Sequence, residues 1–242
     1  VHEGAGDPRR SDVDWRGRGP DDHRGCGADE HRVRPDSGLA AHVAFGAGAV
    51  RVANIGFENC YSGTYFNGVG SASVVNCRFD GNGNSINSKT VGEVSVDECA
   101  FRSLTAIYAF AEHVLAWGPG RIELRASVFE ISPLHAYSWG HVHSQQISEL
   151  LVYACEFRGG AIGINATLGT GIAVVSGCVF ANQHNTGIVH GMPHGTVRIQ
   201  DTTMSGQYKA LLSMDPDPRW EIDGLNVEDV FECSLLLASL GG

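Results

Sequence analysis

Residues 150–165 read LLVYACEFRGGAIGIN, and this stretch contains the pattern that decides the fold. Leu150 and Val152 are two residues apart, which places both side chains on one face of a short strand. Cys155 and Phe157 have the same spacing and begin a second strand after a bend. One block is therefore a strand, a bend and a strand, with these four side chains on the inside of the bend.

The same block occurs eight times along the chain. Asn, Asp or Gly often stands at the bend, and these residues tolerate the left-handed backbone that turns a corner. The blocks are Val50-Val52-Ile55-Phe57, Ala72-Val74-Cys77-Phe79, Val94-Val96-Cys99-Phe101, Ile122-Leu124-Ser127-Phe129, Leu150-Val152-Cys155-Phe157, Ala173-Val175-Cys178-Phe180, Val197-Ile199-Thr202-Met204 and Trp220-Ile222-Leu225-Val227. Their last members follow one another at steps of 22, 22, 28, 28, 23, 24 and 23 residues, a period typical of solenoids.

A third apolar strand is predicted after each block, at a variable distance from it. The predicted strands are residues 64–67, 85–88, 106–109, 135–138, 161–164, 187–190, 210–213 and 234–237.

Three short strands per turn, each stacked on its counterpart in the next turn, predict an all-β parallel β-helix of about eight coils. Stacking would build continuous ladders, with Cys77 on Cys99, Cys155 on Cys178, and a phenylalanine column from Phe57 to Phe180. A leucine-rich repeat is the alternative, but it requires a Leu-x-x-Leu-x-Leu-x-x-Asn pattern and usually a helix or 3₁₀ segment in each repeat. Neither is present in the sequence.

The Val-x-Val-x-Asn-Cys-x-Phe blocks, followed by Gly/Ala-Ile-x-Val/Ile strands, resemble the right-handed β-helix repeats of the pectin-lyase-like superfamily. The resemblance covers roughly residues 48–237. It implies the fold more specifically than the activity, because that superfamily contains lyases, hydrolases, epimerases, phage tailspikes and adhesins. In its polysaccharide enzymes the third strand and the adjoining loops form the substrate groove.

The composition predicts one solenoid domain, residues 41–242, preceded by residues 1–40 as an irregular polar tail or cap. A net charge of −10 disfavours nucleic acid as a partner, because little would neutralise its phosphates. The chain has 32 glycines and only 8 prolines, which suits many tight bends. No run of about 20 apolar residues predicts a membrane span, and no signal peptide is visible. The resemblance suggests an extracellular or cell-surface location.

Seven cysteines could suggest disulfides. Cys77, Cys99, Cys155 and Cys178, however, share one inward position of the block. Stacked neighbours would have parallel Cα–Cβ directions, which suits disulfide geometry poorly. Free thiols in the core are therefore predicted.

The predicted outer face of the third strands carries aromatic and polar side chains. Tyr108, Phe110, Tyr137 and Trp139 are expected to form a two-by-two aromatic patch, with Phe66 and Lys89 on the same face. An exposed patch of this kind needs an explanation. It could be a platform for sugar rings, it could be buried by the longer loops of these coils, or it could be an interface in a homo-oligomer.

Histidines and carboxylates near this face are the candidate chemical groups. His135, His141 and His143 cluster around one predicted strand, where an imidazole can transfer a proton or simply lie in a polar loop. No metal or other cofactor is predicted, because no Asp, Glu or Cys lies close enough in sequence to complete a ligand set. Glu112 and Glu130 are expected in loops, where two carboxylates across a groove could hydrolyse a glycosidic bond. His190 is expected to point inward.

These features favour a carbohydrate-active β-helix protein that binds, and cleaves or epimerises, a polysaccharide or oligosaccharide. The candidate catalytic residues are Glu112, Glu130, His135 and Tyr137. The candidate substrate-binding residues are Phe66, Lys89, Tyr108, Phe110, Trp139, His141 and His143. The alternative is a non-catalytic structural or adhesion module of the tailspike type, which the lack of an Asp cluster on this face favours.

Overall fold

The chain forms a parallel β-helix in a computed structural model. The residues that the structure describes are 10–11, 26–29, 32–35, 40–46, 48–104, 111–118, 120–132, 140–167, 171–191, 195–214 and 219–237. Within them the regular elements are strands, and nearly all strand pairings are parallel. The predicted fold class is confirmed.

The strands are short and follow one another in a regular order. Four precede the first complete coil: β1 (Arg10–Ser11), β2 (Cys26–Asp29), β3 (Arg32–Pro35) and β4 (Ala40–Phe45). Six coils of three strands follow: β5 (Ala49–Ala53), β6 (Gly56–Glu58), β7 (Ser62–Asn67); β8 (Ser71–Val75), β9 (Arg78–Asp80), β10 (Asn84–Lys89); β11 (Glu93–Asp97), β12 (Ala100–Ser103), β13 (Glu112–Trp117); β14 (Arg121–Arg125), β15 (Val128–Ile131), β16 (Val142–Gln145); β17 (Glu149–Tyr153), β18 (Glu156–Gly159), β19 (Ile162–Thr167); β20 (Ile172–Ser176), β21 (Val179–Ala181), β22 (Thr186–Gly191). In each of the last two coils one long strand covers the first two positions, β23 (Thr196–Ser205) in one and β25 (Arg219–Glu228) in the other. The third strands of these coils are β24 (Lys209–Ser213) and β26 (Cys233–Leu237).

The coils place these strands in three stacks. The first and second strands of each coil belong to one continuous 17-stranded sheet, and the third strands form a separate 9-stranded sheet that runs from β4 to β26. We call these the first, second and third stacks. In the six coils of three strands, each strand is hydrogen-bonded to its counterparts in the coils before and after it, which satisfies backbone groups that burial would otherwise leave unpaired.

A column of phenylalanine rings fills the centre of the solenoid. Six rings, one per coil, are 0–1% exposed, and neighbouring centroids are 4.6–4.8 Å apart with interplanar angles of 3–12°. The column consists of Phe57, Phe79, Phe101, Phe129, Phe157 and Phe180. It matches the predicted ladder, and it fixes the second strands in register.

The bend between the first and second strands uses left-handed backbone in each coil. Asn54 (φ 59°) and Asn76 (φ 49°) occupy this position in the first two coils, and the Asn76 amide donates to Asn54 Oδ1 over 2.7 Å. Later coils place Ala126, Ala154 and Asp201 there, also with positive φ. The stacked bends therefore keep one conformation even where the residue is not one that favours it.

The inward cysteines are free and buried, as predicted, in the described part of the chain. Cys99 Sγ accepts a hydrogen bond from the Cys77 backbone N–H at 3.4 Å and donates to the Asp97 carbonyl at 3.3 Å. Ser127 continues the ladder in the next coil, where its Oγ accepts from Cys99 N–H at 3.1 Å and donates to the Arg125 carbonyl at 2.7 Å. The cysteine position is therefore a site for a small side chain that both donates and accepts.

This geometry predicts that Cys99→Ser is mild. The new hydroxyl would find the same partners as Ser127 does, so the penalty of about 1–3 kcal/mol for an unpartnered buried hydroxyl should not apply. We expect the free energy of unfolding to fall by less than about 1 kcal/mol in a urea titration. Cys99→Leu serves as the contrasting variant, since overpacking should cost more, about 1–3 kcal/mol. A Cys99→Ser loss as large as that of Cys99→Leu would contradict the shared partners.

Strands from the N-terminal region pair with the first complete coil. β1 pairs with β5, β3 with β6 and β4 with β7, all in parallel, while β2 pairs with β3 in antiparallel fashion. Residues 1–40, the predicted tail or cap, thus contribute β1 to the first stack and β3 to the second, while β4, which begins at Ala40, belongs to the third.

The third strands of the two longest coils differ from the prediction. β13 and β16 pair with each other and with β10 and β19, so residues 112–117 and 142–145 occupy the third stack. The predicted strands 106–109 and 135–138 lie outside the described residues, and the third-stack positions assigned to them belong to β13 and β16. In both coils the long interval lies between the second and third strands, at residues 104–111 and 132–141, where the sequence had predicted a variable distance.

Candidate functional site

The outer face of the third stack carries two rows of side chains in register across the coils. The inner row is Asn87, Leu115, His143 and Asn165, and the outer row is Lys89, Trp117, Gln145 and Thr167. The inward positions that alternate with these rows, including Val114, Ala116 and Val142, belong to the core. Because side chains alternate across a strand, both rows follow from the register of β13 and β16.

Glu112 and His143 form a hydrogen-bonded pair on this face. His143 Nδ1 is 3.0 Å from Glu112 Oε1, and the two side chains are 9% and 8% exposed. A carboxylate only accepts hydrogen bonds, so Nδ1 carries the proton and Nε2 is the acceptor in neutral His143. Gln145 Nε2 lies 3.0 Å from that Nε2 and donates to it. A carboxylate that orients an imidazole through Nδ1 leaves Nε2 as the atom that can accept or donate a proton.

The row beside this pair is more open and includes a large aromatic side chain. Trp117 is 45% exposed, and its backbone lies in register with Lys89 on one side and Gln145 on the other. Lys89 is also exposed. An exposed indole next to amides and a cation offers one flat apolar surface and several hydrogen-bonding groups.

Two buried amide oxygens flank the Glu112–His143 pair. Asn84 is in register with Glu112, and Asn165 is in register with His143. Both residues are 4% exposed, and within the described residues Oδ1 of each lacks a hydrogen-bond partner. Buried carbonyl oxygens normally accept hydrogen bonds, so both positions would be satisfied by a donor such as a hydroxyl.

His141, one of the predicted binding residues, lies inside the solenoid and not on the surface. Its Nδ1 is 3.2 Å from His113 Nδ1, its Nε2 is 3.0 Å from the Gly159 carbonyl, and both rings are fully buried. His113 Nε2 is 3.4 Å from Ser103 Oγ. Because Gly159 O can only accept, His141 Nε2 carries a proton, and His113 must then donate to His141 through Nδ1. Burial lowers the pKa of His141 to about 4, so both geometry and pKa favour the neutral ring.

The structure therefore brings together some of the predicted residues and separates others. Glu112 and His143 are in contact, and Lys89 lies on the same outer face. Glu112 is the first residue of β13 rather than a loop residue. Phe66 is fully buried in the core, in register with Ser88, so its predicted outward position was wrong. His190 points inward as predicted, with Nδ1 3.4 Å from Ser213 Oγ.

Glu130 is not placed beside Glu112. It lies within β15 of the second stack, in register with Arg102 and Arg158, and its Oε2 is 3.4 Å from Arg102 Nε. The loop position predicted for it was wrong. The two glutamates lie on different sheets, so the arrangement does not resemble a pair of carboxylates across one groove.

The aromatic patch and one candidate histidine lie outside the described residues. These are Tyr108, Phe110, His135, Tyr137 and Trp139. The strand assignment that placed them on the outer face is replaced by β13 and β16, as described above.

The thiols and the metal-ligating side chains of the described residues form no second candidate site. Burial raises the pKa of Cys155 to about 12 and that of Cys178 to about 11, so these thiols are protonated and poor nucleophiles. No group of three or more His, Cys, Asp or Glu side chains in the described part of the chain could hold a metal ion. The same part contains no helix with the length and apolarity needed to cross a membrane.

Trp117, Gln145, Asn84 and Asn165 are site residues that the sequence interpretation did not select. A signal for them was present. The third strand always precedes the next block by eight or nine residues, as from Val114 to Ile122 and from Ile164 to Ala173. Counting backwards from each block would have found β13 and β16, because the variable loop lies ahead of the third strand.

Comparisons with known proteins identified no relative of this chain. No family model, no curated protein and no solved structure matches this chain.

Proposed function

We propose that this β-helix binds a polysaccharide along the outer face of the third stack and performs proton-transfer chemistry on it at His143. The observation that carries the proposal is the Glu112–His143–Gln145 arrangement next to the exposed Trp117. A flat indole suits the apolar face of a sugar ring, and the unpartnered oxygens of Asn84 and Asn165 suit its hydroxyl donors.

In this proposal each group has a distinct role. Trp117 and Lys89 hold the chain of sugars at the open edge of the site, with Lys89 facing a carboxylate or hydroxyl substituent. Glu112 orients the His143 ring and stabilises it when it becomes charged. Nε2 of His143 removes or supplies a proton once Gln145 yields its hydrogen bond to the ligand. Removal of a proton from a sugar carbon begins either eliminative cleavage or epimerisation, so a lyase or an epimerase fits better than a two-carboxylate hydrolase.

A non-catalytic structural or adhesion module is the second candidate. It is favoured by the low exposure of Glu112 and His143 and by the Gln145 amide that already occupies Nε2. In that case the pair would stabilise the outer face of the sheet, while Trp117 would still contact a sugar.

The two candidates predict different results in one experiment. The chain and its variants are incubated with a polysaccharide panel, binding is measured by calorimetry, and products are detected by mass spectrometry. We expect Trp117→Ala to weaken binding about tenfold or more. His143→Gln and Glu112→Gln should lower turnover by about 10²–10⁴-fold while sugar binding persists.

Matched controls separate these effects from unfolding. Tyr208 is 44% exposed, close to the 45% of Trp117, and it directly precedes β24, four strands away from β13. Tyr208→Ala therefore tests the loss of a similarly exposed aromatic side chain away from the site. Glu93→Gln removes a carboxylate from the first stack. Binding without any product would support the module, and no binding to any sugar would contradict both candidates.

A further inference from the structure

The outer face of the second stack carries two rows of side chains from the six coils of three strands. We call them the upstream row and the downstream row, in the order in which the chain meets them, and the buried phenylalanine column alternates with them. All their positions are exposed or half-buried, so the face is open to a partner. The upstream row is Gly56, Arg78, Ala100, Val128, Glu156 and Val179. The downstream row is Glu58, Asp80, Arg102, Glu130, Arg158 and Ala181.

Three ion pairs lie on this face. The arginine side chains in them are 48–56% exposed and the carboxylates 27–33%. A guanidinium has five N–H donors, so each arginine keeps donors beyond those that its partner within the chain can use. The pairs are Arg78–Asp80, Arg102–Glu130 and Arg158–Glu156, with N–O distances of 2.8, 3.4 and 2.6 Å.

The two rows are complementary to themselves when a second copy faces them with its coils in reverse order. A two-fold axis that runs along the strand direction, midway between β12 and β15, places each row against the same row of the partner copy. Apolar side chains then meet apolar ones or glycine, and no two like charges face each other. The facing pairs are Ala100–Val128 and Arg102–Glu130 beside the axis, Arg78–Glu156 and Asp80–Arg158 one coil further out, and Gly56–Val179 and Glu58–Ala181 at the ends.

Other two-fold arrangements of the same face fit less well. An axis through β12 would set Arg102 against Arg102 of the partner copy, and an axis through β15 would do the same with Glu130. An axis midway between β9 and β12 would set Glu58 against Glu130. An axis along the solenoid would set the two rows against each other, so that Ala100 faces Arg102 and Val128 faces Glu130. Like-charge contacts and charges against apolar groups both disfavour association.

We infer that the second stack is a dimer interface, in which two copies of this chain pack face to face across the axis between β12 and β15. Ala100 and Val128 of both copies form its apolar centre. Each ion pair meets a pair of opposite arrangement, so the charges form networks of alternating sign, which stabilise more than isolated surface pairs do. The contact is isologous and therefore complete with two subunits. It lies within residues 56–181 and leaves the third stack of each copy open.

The size of this face predicts a weak dimer. Six strands at a spacing of about 4.8 Å give a length of about 24 Å, and three residues along each strand give a width of about 10 Å. Such a contact is at the small end of specific protein interfaces. We therefore expect a dissociation constant on the order of 1–100 μM, with dimer formation that depends on concentration.

Sedimentation equilibrium of the full chain, from about 1 μM to about 0.5 mM, tests the dimer. The mass of the wild type should rise from 25.8 kDa to twice that value. Val128→Lys places a charge against Ala100 of the partner copy and should keep the monomer mass throughout, with an unchanged circular dichroism spectrum. Val174→Lys is the matched control, because Val174 is also half-buried but lies on the first stack, in β20. It should dimerise like the wild type.

A charge exchange distinguishes the proposed register from any other contact. Arg78→Glu sets an acidic side chain against Glu156 of the partner copy and should weaken the dimer about tenfold or more. The double variant Arg78→Glu/Glu156→Arg restores opposite charges between the copies and should recover dimerisation. Within one copy, however, it sets like charges beside Asp80 and Arg158, so a recovery can come only from contact between copies.

Four results would overturn the inference. They are a wild type that stays monomeric at about 0.5 mM, a Val128→Lys dimer as tight as that of the wild type, an equal loss of dimer in Val174→Lys, and a double variant no tighter than Arg78→Glu alone.

Discussion

Replacing Phe129 with alanine is expected to lower the free energy of unfolding by about 3–5 kcal/mol, the range for a fully buried phenylalanine. Phe129 lies between Phe101 and Phe157, with ring centroids 4.6 and 4.8 Å away, and none of its surface is exposed. The cavity would open in the middle of the column, where coils on both sides hold the backbone in register and limit collapse. Urea titration monitored by circular dichroism measures the loss.

Phe231→Ala is the matched control for this prediction. Phe231 is 79% exposed, so the same change in composition removes little buried surface and should cost less than about 1 kcal/mol. Equal stability losses in the two variants would show that the column does not carry the core. A loss confined to Phe129→Ala would support the coil stacking described above.

Acidification from pH 6.5 to pH 4 should destabilise the fold through His141, by an amount on the order of 3 kcal/mol. The folded ring has a pKa of about 4 because of burial, whereas the ordinary value is 6.5. Between these values the unfolded chain binds a proton that the folded chain does not. The stabilising contribution is therefore fully present above pH 6.5 and is lost as the pH falls towards 4.

A His141→Leu variant isolates this contribution from that of the carboxylates. The variant should be less stable at pH 7, because His113 Nδ1 loses its acceptor at 3.2 Å. Its stability should, however, depend less on pH between 6.5 and 4 than that of the wild type. Urea titrations at several pH values give both slopes, and identical slopes would mean that His141 does not titrate as described.

The sequence was sufficient to predict the fold because the block repeats its chemistry in every coil. One pattern accounts for the spacing of the inward side chains, the small residues at the Cys77 position and the phenylalanine column. Because the pattern occurs eight times, it determines the register of the coils. The paired sheets confirm this register from Val50 to Val227. A single coil could not have shown it, because a short apolar run is ambiguous on its own.

The candidate site was predicted only in part, for a reason that lies in the loops. Glu112 and His143 were selected separately, as a loop acid and a surface histidine, and their contact depends on where β13 and β16 begin. The variable segment lies before the third strand, and Ala106–Ala109 matched the apolar pattern as well as Val114–Ala116 did. The pattern therefore favoured the wrong segment, and Trp117 was missed with it.

The sequence also did not show that His141 is buried inside the solenoid whereas His143 lies on its outer face. His141 and His143 are two residues apart and would lie on one face of a regular strand. In the structure His141 stands just before β16, where the chain turns inward, and only His143 reaches the outer face. The backbone at Gly140, with φ at 144°, lies outside regular strand geometry and accompanies this change of direction.

The most direct test of the proposed sugar site is a crystal structure of the chain with an oligosaccharide that it binds. The account predicts a sugar ring against the indole of Trp117, with a ring C–H or the glycosidic oxygen close enough to His143 Nε2 for proton transfer. It also predicts that sugar hydroxyls donate hydrogen bonds to Oδ1 of Asn84 and Asn165. An oligosaccharide bound on the first or second stack, with the third stack empty, would contradict it.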